Sequence, residues 1–395
     1  MSRQQIVTIL AMSCTYVSSG LCYSVLGPFF PKEAEKKGVS QTVIGLIFGS
    51  FAFFTLVGSV ILGKYIAHIG AKFLIVAGLF ISTGCTILFG ILDRAPAGTT
   101  YIALCFVTRS INAVGFSGAL TAVMAIAAKV FPNNIATVMG ILEACTGLGL
   151  ILGPPVGGWL YQAAGYEITF VVIGCIMFLT IPLNMYVLPV LNADVSHGSY
   201  LRLCTRIKIL SVSFVVFMLS SGIGFLDATL SIFTIDKFGI SPGTVGFLML
   251  GMSLPYGLTS PALGIISDKY PFSRKWMMFL GGVAATIGFC FLGPLPIFHI
   301  ESQLWLAVVM LILIALSLAV TLVPTFAEML TYAYEYGYEE NLSTLGLVSG
   351  LYTAVWSAGT FFGPIVGGYT TQRLGFEWAA GVQGAFSFLA VSKKE

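Results

Sequence analysis

Of the 395 residues, 57% are hydrophobic and only 9% are charged, and the formal net charge is +3, with a mean hydropathy of +0.95. Soluble globular domains carry about 25% charged residues, so that class is excluded and the chain reads as an all-α polytopic membrane protein. The small positive excess is spread over loops and forms no basic patch of the kind nucleic acid requires.

Twelve apolar segments have about the length that crosses a hydrocarbon core of roughly 30 Å as helix. In chain order they cover residues 5–30, 41–67, 72–92, 101–129, 135–162, 167–189, 207–234, 243–266, 275–294, 303–332, 344–370 and 376–392. With the amino terminus inside, twelve basic loop residues fall on the cytoplasmic side, among them Lys64, Arg202, Arg206, Lys208, Lys269, Arg274 and Lys275, against six outside. The positive-inside rule therefore predicts that both termini are cytoplasmic. Seven of the eight cysteines lie within spans and Cys204 lies in the central loop. Neither disulfide nor zinc spacing is present, so no metal and no cofactor is expected. No nucleophile, metal or phosphate-loop constellation points to an enzyme.

The chain repeats itself. Ser18-Ser19-Gly20 matches Ser220-Ser221-Gly222, Gly38-Val39-Ser40 matches Gly239-Ile240-Ser241, and Gly63 matches Gly264, at offsets of 201 or 202 residues. The pattern predicts two six-helix halves repeated in parallel, 1–189 and 207–395. A polar cytoplasmic linker, 190–206, with Asn192, Asp194, His197 and Gly198, joins them. The fifth span carries Gly149, Gly153, Pro154, Pro155, Gly157 and Gly158, and Gly359 to Gly368 repeat that pattern 210 residues on. Gly149, Gly153 and Gly157 share a helix face open to close helix approach. The two prolines are expected to break the hydrogen-bond ladder. This segment is expected to bend the fifth span against the eighth and to seal a cavity while the halves rock.

Away from the span ends, where a charge costs about 2.5–3.5 kcal/mol and is by default a functional candidate, four ionisable residues stand out: Arg109, Glu143, Asp227 and Glu328. Three acids against one base favour a cation. Counting from the span ends puts Arg109 and Asp227 in the non-cytoplasmic half and Glu143 and Glu328 in the cytoplasmic half, a spacing suited to an extended cation. Asp227 is the first choice for contact with it. Glu143 is either a protonation site or a helix-to-helix hydrogen bond, and Glu328 lies near a span boundary. Tyr23, Tyr352 and Trp356 offer cation–π faces, although aromatic rings in membrane helices more often serve packing.

The six-plus-six repeat resembles the major facilitator superfamily, whose halves surround a central cavity and rock about it. The loop Gly264-Ile265-Ile266-Ser267-Asp268-Lys269 is similar to that superfamily's Gly-x-x-x-Asp-Arg/Lys turn, whereas the first copy has Ala67 where the acid belongs. Arg109-Ser110-Ile111-Asn112-Ala113 resembles the Arg-x-x-Gln-Gly motif of drug/proton antiporters, and Gly153-Pro154-Pro155 resembles their fifth-span signature. That resemblance places Arg109 in proton coupling, holding down the pKa of an adjacent acid; a structural ion pair is the plainer reading. With Phe225-Leu226-Asp227 on the seventh span, the chain resembles the vesicular amine transporter family. The family's acid on the first span is absent, with Tyr16, Ser18, Cys22 and Tyr23 there instead. Its acids on spans ten and eleven fall at about Ala319 and Thr353.

The resemblance implies exchange of lumenal protons for cytosolic polyamines, spermine or spermidine, across an acidic vesicle membrane, by a lipid-embedded monomer. Proton coupling would rest on Arg109, Glu143 and Asp227. Substrate binding would rest on Asp227, Glu143, Glu328, Tyr23, Tyr352, Trp356 and Asn112. Two alternatives stay open: a broader organic-cation, monoamine or drug antiporter, and a sensor or scaffold that no longer transports.

Overall fold

The computed structural model describes residues 2–191, 199–240 and 242–392. The polar join at Asn192, Asp194, His197 and Gly198 therefore lies outside the described residues. The rest is nearly all helix: α1 (Arg3–Lys36), α2 (Gln41–Ile69), α3 (Ala71–Ile91), α4 (Thr99–Val130), α5 (Ile135–Val187), the short α6 (Tyr200–Cys204), α7 (Ile207–Phe238), α8 (Pro242–Lys269), α9 (Ser273–Leu292), α10 (Leu304–Glu335), α11 (Leu342–Leu374) and α12 (Phe376–Ser392). Ten helices among the described residues are long and apolar enough to cross a membrane. One of them, α5, has 53 residues and non-helical backbone at Gly165. It is two helices joined at Gly165, with a summed length of about 80 Å at 1.5 Å per residue, enough for two crossings. With α5 counted twice and the 17-residue α12 added, the twelve segments are accounted for.

The duplication is visible in the backbone. Gly165 has φ +83° and Gly375, 210 residues on, has φ +86°; Gly38 and Gly239 have φ +78° and +63°. Glycine takes this left-handed region without the Cβ penalty of other residues. Each pair sits at the same junction of its repeat, after the first helix and between the last two.

Contacts divide the chain into two compact units. The first comprises Met1–Pro132, Cys145–Gly198 and Tyr338–Ala354, and the second Asn133–Ala144, Ser199–Gly337 and Val355–Glu395. The opening turns of α5 are thus grouped with α7 to α10, and the opening turns of α11 with α1 to α4.

The glycine-proline segment differs from expectation in its packing partner, and its two prolines leave the helical backbone unbroken. The helix runs through Pro154 and Pro155 with helical backbone, and the one non-helical residue within α5 is Gly165. Proline removes a donor from the ladder, but membrane helices tolerate that loss. The partner also differs. A Cβ at Gly149 would lie 2.9 Å from Gly20 Cα, and one at Gly153 would run into Ser24 Oγ, so this face packs on α1. The contact with α8 lies nine residues earlier, where a Cβ at Gly140 would lie 2.9 Å from the Ser260 carbonyl carbon. Nine residues at about 100° each turn the helix by half a revolution, so Gly140 and Gly149 face opposite ways. The second copy repeats the first-helix packing: Cβ atoms at Gly359 and Gly363 would each come within 2.9 Å of α7 backbone, at Ser221 N and Phe225 N.

Candidate functional site

The three acids picked out in the sequence all belong to the second unit. Asp227 lies on α7, where Gly224 seats the helix against Pro364 of α11; a Cβ there would come 2.7 Å from Pro364 Cδ. Phe225 is fixed by rings of Phe289 and Phe376. With that face locked, the Asp227 side chain is turned out of the packing and exposed. Among the described residues no basic side chain forms an ion pair with it. Glu143, half-buried on α5, accepts a hydrogen bond from Tyr256 Oη of α8 at 3.0 Å, so the helix-to-helix reading is realised. It too lacks an ion-pair partner among the described residues.

Glu328 stands in different company. It is 4% exposed and lies beside Tyr332, one turn along α10. The Tyr332 ring is capped by Lys208 Nζ at 5.1 Å and Lys275 Nζ at 5.6 Å, and Lys208 also pairs with Glu335 at 2.6 Å. Glu328 is therefore the inner member of a charged cluster at the ends of α7, α9 and α10, already supplied with positive charge.

Tyr23, Arg109 and Asn112 come together in the first unit, lining one small pocket between α1, α2, α3, α4 and α5. Tyr23 packs on Phe51 with ring centroids 5.6 Å apart. The Arg109 guanidinium lies 4.4 Å from the Phe51 centroid and is 3% exposed. The structural ion pair expected for Arg109 is not realised: no carboxylate pairs with it among the described residues. The arginine rests instead on the aromatic faces of Phe48 and Phe51. Tyr352 is 5% exposed and Trp356 half-buried, and the boundary between units falls between them at Ala354.

The loop motif is an anchor for a helix end. Asp268 Oδ1 accepts from Ala136 N at 3.1 Å and Oδ2 from Thr137 N at 2.7 Å. These are first-turn amides of α5, which lack intrahelical acceptors and carry the positive end of the helix dipole. Arg274 holds the same carboxylate at 3.4 Å, and Gly264 gives the room, since a Cβ there would lie 2.7 Å from Thr137 Cα. Lys269 is occupied with the Tyr270 ring at 5.4 Å. In the first copy Ala67 offers no acceptor, and the α11 amino end is capped by its own Asn341, whose Oδ1 accepts from Thr344 N at 2.9 Å. A Cβ at Gly346 of α11 would still meet Gly63 O at 2.6 Å, so the packing half of the motif survives without its charge.

Sequence reasoning missed Tyr256, the partner of Glu143. Its position between Pro255 and Gly257 marks an irregular stretch of α8 but does not reveal where the hydroxyl points.

Known proteins are similar to this chain. The Major Facilitator Superfamily model matches residues 12–199 and 212–392. The human MFS-type transporter SLC18B1 is 52% identical over 99% of this chain and 86% of its own length. The Drosophila melanogaster vesicular acetylcholine transporter is 26% identical over 89% of this chain and 60% of its own length. The crystal structure of the human organic anion transporter MFSD10 (TETRAN) superposes with a TM-score of 0.82, covering 99% of both chains at 15% identity, which shows a shared fold. The chain is a multi-pass membrane protein that belongs to the major facilitator superfamily, similar to SLC18B1 and distantly related to the vesicular amine transporters.

Proposed function

We propose that this chain is a proton-coupled antiporter that moves polyamines such as spermine and spermidine from the cytosol into acidic vesicles in exchange for lumenal protons. The observation that carries the reading is the pair Asp227 and Glu143: two carboxylates within helices long enough to cross the membrane, neither with an ion-pair partner among the described residues. An intramembrane carboxylate without a fixed cation is suited to a mobile one, and a proton and a protonated amine compete for it. Similarity to a vesicular acetylcholine transporter supports an amine as the cargo.

In this reading Asp227 makes the first contact with an ammonium group, and Glu143, steadied by Tyr256, takes the second charge of a longer cation or a proton. Glu328 acts through the basic cluster around Tyr332. The halves 1–189 and 207–395 alternate in access around the linker, with both termini in the cytosol. Asp268 holds α5 while α11 caps itself.

The test is uptake of radiolabelled spermidine by proteoliposomes with an acid interior. Accumulation that stops when nigericin collapses the pH gradient supports the reading; accumulation that continues unchanged contradicts it. Competition by monoamines and quaternary ammonium ions at similar potency would favour the broader organic-cation antiporter.

A further inference from the structure

We infer that the pocket around Arg109 is a binding site for a small monovalent anion of halide size, such as chloride. A guanidinium carries five N–H donors and a charge that cannot be shed at neutral pH, and burying one without counter-charge is costly. Arg109 is 3% exposed, its Nε is buried with no hydrogen-bond partner, and no carboxylate pairs with it among the described residues. The Phe51 ring at 4.4 Å covers the guanidinium but accepts none of its in-plane hydrogens. The positive charge thus needs a partner that the protein does not supply.

The walls decide which partner fits. Ser19 and the Asn112 amide line the pocket as polar groups, with Phe51 and Phe116 as apolar sides. Ser82 and Thr86, on the same wall, spend their hydroxyl protons on the Asn112 and Ser82 carbonyls at 3.4 and 2.8 Å. Aromatic sides favour a weakly hydrated ion over sulfate or phosphate. One guanidinium balances one negative charge, so a divalent anion would leave an excess. The site is cationic and does not compete for the transported cation. It lies wholly within the first unit, and the inference does not depend on which cation is carried.

The test is thermal unfolding of the purified full chain in detergent, with sodium chloride replaced stepwise by sodium gluconate at constant ionic strength. Chloride, and bromide likewise, is expected to raise Tm saturably by roughly 2–4 °C, and Arg109→Gln to lose the anion-specific shift. Identical melting in chloride and gluconate overturns the inference. A chloride shift that persists in Arg109→Gln also overturns it, because the ion then binds elsewhere. Should the variant fail to fold, anomalous scattering from wild-type crystals grown in bromide decides: a peak within hydrogen-bonding distance of the guanidinium supports the site, and none there overturns it. Neither readout involves transport, so each stands apart from the polyamine reading.

Discussion

The surroundings of Arg109 and those of Asp227 show two ways of carrying an unbalanced charge at membrane depth. Arg109 is enclosed, with a ring against its face and polar walls around a small pocket. Asp227 is turned out of its helix packing and left exposed, although Gly224 and Phe225 just before it are locked against α11, α9 and α12. An enclosed charge selects a small occupant, whereas an exposed one on a rigid helix admits a large one. Charge sign assigns the ligand class, and enclosure assigns its size.

The comparison is broken most directly at Asp227. Asp227→Asn keeps the shape and removes the charge; a lost charge contact costs about 2–5 kcal/mol. Spermidine uptake at low substrate is expected to fall at least about thirtyfold while the melting temperature holds. Wild-type uptake in this variant would remove Asp227 from the site. Next in size is Gly153→Leu, which forces a side chain into Ser24 on α1 at a cost of about 1–3 kcal/mol. Exchange is expected to slow several-fold, whereas Gly368→Ala, in open space, leaves flux unchanged.

A smaller effect separates the two loop copies. Asp268→Ala removes both acceptors of the α5 amides, and hydrogen bonds to charged groups are worth about 1.5–3 kcal/mol each. The melting temperature is expected to fall by several degrees, read by differential scanning fluorimetry. Ala67→Ser is expected to change it by no more than about 1 °C, since the α11 end is already capped by Asn341.

The smallest effect is at Glu33, beyond the apolar part of α1. Burial pushes its carboxyl up, but hydrogen bonds from Lys36 and Tyr161 outweigh that and hold it below the ordinary carboxylate range. A depressed folded pKa contributes stability above the unfolded value of about 4.3 and loses it as pH falls through the folded value. Glu33→Gln is therefore expected to melt slightly lower than wild type at pH 7, by no more than about 1 kcal/mol given the exposed lysine. The gap should close as pH falls through the depressed folded value.

Much of the architecture was legible in the residues. The matched glycines at 38 and 239 and at 149 and 359 report a duplicated backbone because each needs a missing side chain for a local reason. The loop around Asp268 was legible for the same cause, since Gly264 and the acid act within one turn of each other. The phase of a face was not. Gly140 and Gly149 both read as small residues on α5, and only the half revolution between them separates the α8 contact from the α1 contact. Partnership across helices was also hidden: nothing in the neighbourhood of Tyr256 says that its hydroxyl meets Glu143. The missing partner of Arg109 could be read only in part, from the uncharged stretch around Tyr16 to Tyr23. That stretch lacks the acid the resemblance implies, and the structure was needed to show that no carboxylate pairs with Arg109 among the described residues.

The proposed exchange of a cation for protons is tested most directly by following protons. Proteoliposomes holding a pH-sensitive dye at an acid interior receive external spermidine, with the membrane potential clamped. Interior alkalinisation that scales with spermidine entry, and is lost in Asp227→Asn, is the predicted result. Spermidine that accumulates with no proton efflux, or alkalinisation equal to that of protein-free liposomes, would contradict it.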